Sequence, residues 1–140
     1  MKIWCVEMNI LFLTNGTIGQ QMIARFRDEG YLVDVHTQAL EIGYFENRSY
    51  DYLISYNYSH IIKSELLNLF PHSALNLHIS YLPWNKGADP NIWSFLDDTP
   101  KGVSIHYIDK GLDTGDILGQ RELFFDNEKE TLESTYTLLH

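Results

Sequence analysis

The amino-acid sequence predicts an α/β fold in which a parallel β-sheet is flanked by helices. Residues 9–13 are an apolar run that ends at a Thr-Asn-Gly turn, as a buried strand does. Apolar residues at helical spacing then predict a helix over 17–29, with Gly30 as its stop signal, and residues 31–36 are rich in β-formers. A strand, a helix and a strand within about 30 residues form a right-handed βαβ unit, which implies a parallel sheet.

The middle of the chain adds a strand and a helix. Residues 37–50 fit either a short helix or an irregular loop, and their pattern does not decide between the two. Residues 52–56 predict a third strand, and the apolar residues between positions 61 and 69 predict a helix. Pro71 lies just beyond that helix, where a proline cannot continue it.

The second half of the chain is predicted to contain three more strands and two more helices. The strands are residues 74–78, 101–108 and 117–125, and the last ten residues begin a helix with one apolar face. A short helix near 91–97 should place its apolar side chains in the core. Those side chains are Ile92, Trp93, Phe95 and Leu96.

Length and composition limit the class of protein. With 140 residues, of which 44% are hydrophobic, the chain is expected to form one domain that spans residues 1–140. No apolar run approaches the ~20 residues that cross a bilayer, which predicts a cytoplasmic protein without a membrane partner. The one cysteine, Cys5, cannot form an internal disulfide and is expected to be a small buried thiol. A net charge of −9 disfavours a nucleic-acid partner, because such binding relies on basic side chains.

Two polar side chains share one face of the fourth predicted strand. Asn76 and His78 are two residues apart, so both point to the face opposite Leu75 and Leu77. Polar residues on a buried strand, just before a loop, indicate a functional site. Taken alone, however, the pair also fits a core histidine bonded to a backbone carbonyl beside a capping asparagine.

A second polar cluster lies in the loop between the last two predicted strands. Asp109, Asp113 and Asp116 fall there among glycines, and such loops often carry the chemistry of α/β folds. A solvated acidic turn explains Asp109 and Asp116 equally well. A carboxylate beside the imidazole of His78 would raise its pKa, so that the pair exchanges protons near neutral pH. With the Asn76 amide as a donor to an oxyanion, the trio suits acyl transfer to a nucleophile that belongs to the substrate.

Several ordered motifs resemble the signature of the folate-dependent formyltransferases. The motifs are Asn76-Leu77-His78, Tyr81-Leu82-Pro83, Lys86-Gly87 with Pro90, Gly102-Val103-Ser104-Ile105-His106, and Gly111-Leu112-Asp113-Thr114-Gly115-Asp116-Ile117-Leu118. The resemblance as a whole covers residues 51–125, approximately. The resemblance implies a doubly wound, Rossmann-like catalytic domain with a mostly parallel sheet, whose formyl donor is 10-formyltetrahydrofolate.

The resemblance also implies roles for individual residues. It implies that Asn76, His78 and Asp113 are catalytic and that His106 supports the site. It implies a pocket for the folate with apolar walls and a few polar groups, which suits a flat pteridine ring. The residues of that pocket would be Tyr56, Asn57, Tyr58, Leu82, Pro83 and Asp109. In the resulting hypothesis Asn76 and a protonated His78 stabilise the oxyanion, while Asp113 holds the imidazole and helps to relay protons.

Within the family, residues 77–106 most resemble the branch that modifies sugars for surface polysaccharides. The expected acceptor is therefore the amine of a nucleotide-linked deoxyamino sugar. A methionyl-tRNA formyltransferase is an alternative, but that branch carries an added RNA-binding domain, for which this chain has neither the length nor the positive charge. The chain is short for a catalytic domain of the family, so part of the acceptor site, or of the contact that would form a homodimer, is expected to be missing.

Readings from other classes stay open at this point. A folate-binding protein without catalysis would keep the pocket and lose the acceptor site. A 10-formyltetrahydrofolate hydrolase would use water in place of the amine and release formate. A metal hydrolase could use His78, His106 and Asp113 as ligands, although the motifs have a better explanation and no metal is expected.

Overall fold

The computed structural model describes residues 7–140, and Cys5 lies outside the described residues. The chain divides into two compact units, one that ends at Leu75 and one that comprises Asn76–His140. Each unit is described on its own in the following paragraphs.

The first unit is built on three parallel strands. Strand β1 (Asn9–Leu13) pairs in parallel with β2 (Leu32–His36) on one side and with β3 (Tyr52–Tyr56) on the other. Helix α1 (Gln20–Asp28) connects β1 to β2, as the predicted βαβ unit requires. Because β1 lies in the middle, its residues are almost completely buried, and Leu11, Phe12 and Leu13 are each 0% exposed.

The helices of the first unit are shorter than the sequence predicts. Helix α1 begins at Gln20 and not at residue 17, because the N–H of Gln20 donates to the Thr17 carbonyl in a preceding turn. Helix α2 comprises only Ser64–Leu67, since the residue before it is extended. The predicted helical residue Ile61 consequently lies outside α2 and is 87% exposed. The ambiguous segment 37–50 contains a short 3₁₀ helix, Ile42–Phe45, within irregular backbone.

The second unit is built around the end of β4 and an antiparallel pair of strands. Strand β4 (Ala74–His78) starts at the end of the first unit and enters the second, where the strand order is β4-β5-β6. Strands β5 (Lys101–Tyr107) and β6 (Ile117–Leu123) are antiparallel, with a register shift between Ile105 and His106. Burial alternates along β5, so His106 is 2% exposed whereas Ile105 is 39% exposed.

Two helices complete the second unit. They are α3 (Pro90–Leu96) and α4 (Leu132–Leu139). Helix α4 begins with a capping box, in which the side chains and backbone N–H groups of Thr131 and Ser134 bond to each other reciprocally.

The predicted burial of the apolar side chains of α3 is wrong. Ile92, Trp93 and Leu96 are 43%, 51% and 69% exposed, and Phe95 is only half-buried. The helix instead buries Pro90, Asn91 and Ser94. The physical reason is a polar contact with α4, where the amide of Asn91 donates to the Leu132 carbonyl and accepts from the Thr135 hydroxyl. Burial of an amide costs little free energy when both its N–H and its oxygen are hydrogen-bonded. Hydrophobicity alone therefore did not decide which face of α3 is buried.

Candidate active site

The candidate active site lies within the second unit and starts from the end of β4. Strand alternation directs Asn76 and His78 to the same face, as predicted. His78 is 8% exposed, and Asn76 is half-buried. Their side chains meet the carboxylate of Asp113, which comes from the loop between β5 and β6. The sequence therefore placed these three residues together correctly.

Asp113 is the centre of the cluster. Its Oδ2 atom accepts a 2.8 Å hydrogen bond from the backbone N–H of Gly87 and lies 3.5 Å from Nε2 of His78. Its Oδ1 atom lies 3.3 Å from Nδ2 of Asn76 and 3.4 Å from Nε2 of His106. The backbone of Asp113 is left-handed, with a φ of 51°, a conformation in which Asp is one of the better-tolerated non-glycine residues. One carboxylate thus contacts every polar side chain of the cluster.

A backbone carbonyl fixes the tautomer of His78. Nε2 of the ring lies 3.0 Å from the carbonyl oxygen of Asn85. Because a carbonyl can only accept, Nε2 carries the hydrogen, and in the neutral ring Nδ1 is left as the proton acceptor. The arrangement gives the imidazole a defined basic nitrogen.

The second histidine, His106, is fixed in the same manner but with the opposite nitrogen. Its Nδ1 lies 2.8 Å from the Tyr107 carbonyl and must carry a hydrogen. Its Nε2 faces Nδ2 of Asn76 at 3.2 Å as well as the Asp113 carboxylate. The neutral ring accepts a hydrogen bond from Asn76, whereas the protonated ring donates to Asp113.

The pKa shifts in the cluster differ from the sequence-based expectation. Burial lowers the pKa of His78 below its ordinary value of 6.5, although the Asp113 carboxylate and the Asn85 carbonyl act in the opposite direction. The expected raised pKa of His78 is therefore wrong, because desolvation outweighs the attraction of the carboxylate. For His106 burial also acts to lower the pKa, but the hydrogen bonds to Asp113 and Tyr107 outweigh it and raise the pKa.

The carboxyl group of Asp113 stays ionised despite its burial. Burial acts to raise its pKa, but the hydrogen bond to His106, the charge on His78 and the Gly87 N–H together lower it. The cluster at neutral pH therefore combines an anionic Asp113 with a neutral His78.

The loop that presents Asp113 is held by Asp109. The Asp109 carboxylate accepts a 2.6 Å hydrogen bond from the Thr114 hydroxyl and a 2.9 Å bond from the Gly111 N–H. The hydrogen bond from Thr114 is the largest cause of the lowered pKa of Asp109. At the loop's end, the N–H of Tyr107 donates to the Asp116 carbonyl at 2.9 Å. In the described structure the side chain of Asp109 thus has a clear function in shaping the loop.

We expect the substitution Gly115→Ala to destabilise the protein. A Cβ atom at this position would lie 1.7 Å from the Tyr107 carbonyl oxygen, so the β5 end or the loop must move. The expected loss is about 1–3 kcal/mol of unfolding free energy, the range for overpacked sites, measured by urea unfolding. Gly119→Ala is the matched control, because nothing lies within 4 Å of the Cβ that it would add. Equal losses for the two variants would contradict the steric argument.

A hydrogen-bonded brace holds the chain where it leaves β4. The hydroxyl of Ser104, which is 0% exposed, donates to the Ser80 carbonyl at 2.7 Å and accepts from the Leu82 N–H at 3.1 Å. The side-chain amide of Gln120 donates to the Leu82 carbonyl at 2.7 Å and to the Ser104 hydroxyl at 3.0 Å. Side chains of β5 and β6 therefore set the path of the segment that contains Leu82.

The other residues predicted to bind the donor are distributed over both units. In the first unit Tyr56 is 2% exposed, the Asn57 amide donates to the Asn15 carbonyl at 2.8 Å, and the Tyr58 hydroxyl donates to the Gln38 carbonyl. In the second unit Leu82 is 3% exposed, and Pro83 is exposed after a cis Leu82–Pro83 bond. Their assignment to a folate pocket stays a prediction.

Several participants in the site were not identified from the sequence. The Asn85 carbonyl and the Gly87 N–H contact the two most important side chains, but they are backbone groups, and a backbone group has no residue-type signal. Ser104 and Gln120 were also missed as a brace. The position of Ser104 on the same face of β5 as His106 is the signal that could have indicated it.

Two negative observations concern the described part of the chain. Within residues 7–140 no group of three or more His, Cys, Asp or Glu side chains is placed to hold a metal ion. The longest helix there has nine residues and is too short to cross a membrane.

The sequence and the structure are both similar to known formyltransferases. A family model described as formyl transferase matches residues 36–140, more than half of the chain.

The crystal structure of the formyltransferase PseJ from Anoxybacillus kamchatkensis, in complex with UDP-4,6-dideoxy-4-formamido-L-AltNAc and tetrahydrofolate, is 45% identical with a TM-score of 0.86. The alignment covers 94% of this chain and 68% of PseJ. A phosphoribosylglycinamide formyltransferase from Streptococcus pneumoniae shares the fold at 20% identity, with a TM-score of 0.72 over 96% of this chain and 91% of that one. The predicted fold class, a doubly wound and mostly parallel α/β sheet with flanking helices, is confirmed.

Similar curated proteins include methionyl-tRNA formyltransferases. The protein from Finegoldia magna is 40% identical over 79 residues, which are 56% of this chain and 26% of that protein. The protein from Anaeromyxobacter dehalogenans strain 2CP-C is 46% identical over 85 residues, which are 59% of this chain and 27% of that protein. The chain thus matches about a quarter of the length of these relatives.

Proposed function

Because the chain belongs to the formyl transferase family, we propose that it transfers a formyl group from 10-formyltetrahydrofolate to an amine. The observation that carries this proposal is that the side chains of Asn76 and His78 both meet the carboxylate of Asp113. An amide donor, an imidazole with a free basic nitrogen and an ionised carboxylate are the groups that acyl transfer to an amine requires.

The roles of the three residues follow from their protonation states. Nδ1 of a neutral His78 accepts a proton from the attacking amine as the new carbon–nitrogen bond forms, and His78 then returns that proton to the departing nitrogen of the donor. An N–H of Asn76 donates to the oxygen that becomes negative between these two steps. Asp113 stabilises the imidazolium while it exists. The proposal thus replaces the protonated His78 of the sequence-based hypothesis with a neutral base, in accord with its lowered pKa.

The donor supplies a formyl carbon that is bound to a nitrogen of the folate. Among the residues of the second unit, the exposed Pro83 is proposed to contribute apolar surface for it, and the buried Leu82 is proposed to position the backbone beside it. PseJ, which is 45% identical, has tetrahydrofolate in its structure, and this supports the proposal.

The proposed acceptor is the amine of a nucleotide-linked amino sugar, used in polysaccharide synthesis. This proposal is supported by the UDP-linked formamido sugar in the PseJ structure, of which this chain covers 68%. Methionyl-tRNA is the second candidate acceptor, because the local identities with those enzymes reach 46%. The net charge of −9 opposes an RNA substrate, so we favour the sugar.

The test is mass spectrometry of candidate acceptors incubated with the full chain and 10-formyltetrahydrofolate. The panel contains UDP-linked and other nucleotide-linked 4-amino sugars and, separately, methionyl-tRNA. A gain of one formyl group by a sugar is the expected result. Formylation of the tRNA alone would overturn the choice of acceptor. Formate release without any formylated acceptor would indicate a hydrolase, and folate binding without turnover would indicate a non-catalytic protein; either result would overturn the transferase proposal.

Transfer is expected to require a deprotonated His78 and therefore to fall at acidic pH. Since burial lowers the pKa of this imidazole, the midpoint of the acidic limb of kcat should lie below 6.5. The measurement is kcat at saturating acceptor in steps across the acidic range. A midpoint above 6.5 would contradict the proposed neutral base.

Loss of the Gln120 brace is expected to weaken donor binding selectively. Gln120→Ala removes one hydrogen bond to the Leu82 carbonyl and one to the Ser104 hydroxyl, which itself bonds to this segment, and each is worth about 1 kcal/mol. We expect the KM for 10-formyltetrahydrofolate to rise by roughly tenfold, with a smaller change in the acceptor KM and in kcat. Gln120→Glu should bind the donor no better, because a carboxylate cannot donate to the Leu82 carbonyl. Equal changes in the KM for the donor and the KM for the acceptor would show that the brace does not act selectively on the donor. Gln21→Ala, at an exposed position of α1, is the control.

A further inference from the structure

An exposed aromatic pair lies in the loop that follows β4. The rings of Tyr81 and Trp84 are stacked almost parallel, with centroids 6.1 Å apart and an interplanar angle of 11°. The backbone N–H of Trp84 donates to the Tyr81 carbonyl at 3.2 Å, which fixes the turn between them. The Trp84 side chain is nevertheless 42% exposed. The indole of Trp84 thus stacks with Tyr81 and remains accessible to a ligand.

The next three residues attach this loop to the proposed catalytic groups. The Asn85 carbonyl accepts the hydrogen bond of His78 at 3.0 Å, and the Gly87 N–H donates to Asp113 at 2.8 Å. The side chain of Asn85 also accepts a 2.6 Å hydrogen bond from the Thr99 hydroxyl. Trp84 is therefore adjacent in sequence to Asn85, whose carbonyl orients the proposed base. Hydrogen bonds at Asn85 and Gly87 hold this part of the loop.

Lys86, a basic residue, lies in the chain between Asn85 and Gly87. Lys86 is exposed, and within residues 7–140 no carboxylate forms an ion pair with its ammonium group. In a chain with 19 acidic and 10 basic residues, a cation beside the site that no carboxylate neutralises favours an anionic ligand. Lysine commonly binds phosphate groups as a point charge.

We propose that residues 84–87 form the subsite for the nucleotide part of the acceptor. The indole of Trp84 stacks on the base, and the ammonium of Lys86 pairs with the diphosphate. This inference rests on the proposed function, since it assigns residues to the nucleotide of the same acceptor. Stacking recognises any flat heteroaromatic ring, so the subsite contributes affinity, and the sugar is selected elsewhere.

The first test is calorimetric titration of the full chain with UDP, which contains the base and the diphosphate but neither the amine nor the sugar. Trp84→Ala is expected to weaken UDP binding by roughly tenfold or more, the effect of losing a base stack. Trp84→Phe keeps an aromatic face and should retain most of the affinity. Trp93→Phe is the matched control at a tryptophan on α3 that is 51% exposed, and it should bind like the parent protein.

Lys86→Met tests the second half of the subsite independently. We expect UDP binding to weaken several-fold at low salt and the difference from the parent protein to shrink as salt is added, because an exposed ion pair is screened. Uridine, which lacks the diphosphate, should bind Lys86→Met and the parent protein equally. A salt-independent loss, or an equal loss for uridine, would overturn the role of Lys86.

The outcomes separate this inference from the proposed function. If the parent protein does not bind UDP, or if Trp84→Ala binds UDP as tightly as the parent does, the subsite is wrong even when a UDP-sugar becomes formylated. If UDP binding depends on Trp84 and Lys86 but no acceptor gains a formyl group, the subsite stands and the transferase proposal fails. Thermal unfolding of each variant shows whether a loss of binding reflects a loss of folding.

Discussion

His78→Asn is expected to reduce formyl transfer by about a thousand-fold, the central range for the loss of a general acid–base residue. Asparagine can still donate a hydrogen bond toward the Asn85 carbonyl, but it has no basic nitrogen to replace Nδ1. The amine would then have to lose its proton to water. Acceptor binding should change little, because the substitution removes a proton acceptor and not a binding surface. The measurement is single-turnover transfer at saturating donor and acceptor.

His72→Asn is the matched control for this experiment. His72 is exposed in the first unit and has a φ of 64°, a left-handed conformation that asparagine tolerates. This variant should transfer the formyl group at the parent rate. A parent-like rate in His78→Asn would remove His78 from the proposed chemistry, and an equal loss in both variants would point to general damage.

Asp113→Asn is expected to have the second large effect, a loss of roughly a hundred- to a thousand-fold in kcat. The substitution keeps the shape of the side chain and its tolerance of a φ of 51°, and it can still accept from the Gly87 N–H. It removes the negative charge that is proposed to stabilise the imidazolium of His78 during transfer. Steady-state kinetics should show the loss in kcat. Asp116→Asn, an exposed aspartate three residues further along the loop, should leave kcat unchanged.

The same variant should also change how stability depends on pH. The folded-state pKa of Asp113 is lowered below its ordinary value of 3.8, so its ionised form stabilises the protein above that value. This contribution is lost as the pH falls through the lower, folded-state pKa. Acid unfolding of the parent protein should therefore include a step that Asp113→Asn lacks. Superimposable acid-unfolding curves for the two proteins would contradict the lowered pKa.

The strands were easier to predict than the helices. The bounds of β1, β3 and β4 follow from mostly apolar runs that end at turns, because every residue of these interior strands is at least partly buried. The helix predicted over 61–69 contains only Ser64–Leu67, since apolar spacing does not show that the backbone at Lys63 is extended. The buried face of α3 depends on the partners of Asn91 in α4, and a single helix contains no information about them.

The parts of the candidate site that depend on side-chain identity and on the two-residue alternation of a strand could be predicted from the sequence. Alternation placed Asn76 with His78, and the glycine-rich loop indicated Asp113. The direction of the His78 pKa shift was not predictable, because it depends on whether burial or the carboxylate has the larger effect. That balance is a property of the folded packing and not of residue spacing.

The hydrogen-bond geometry of Asn76 and His106 links the proposed oxyanion donor, Asn76, to the protonation of His106. The amide of Asn76 has two N–H groups, and while His106 is neutral one is directed at its Nε2 and the other at Asp113. A proton on His106 turns that ring into a donor toward Asp113, which on the proposed mechanism would leave one N–H of the amide for the reacting oxygen. On the proposed mechanism, the site would have a resting and a competent configuration that differ by one proton, and the raised pKa of His106 would favour the competent one. His106 would then govern how many molecules are ready to react, while His78 governs how fast a ready molecule transfers its proton.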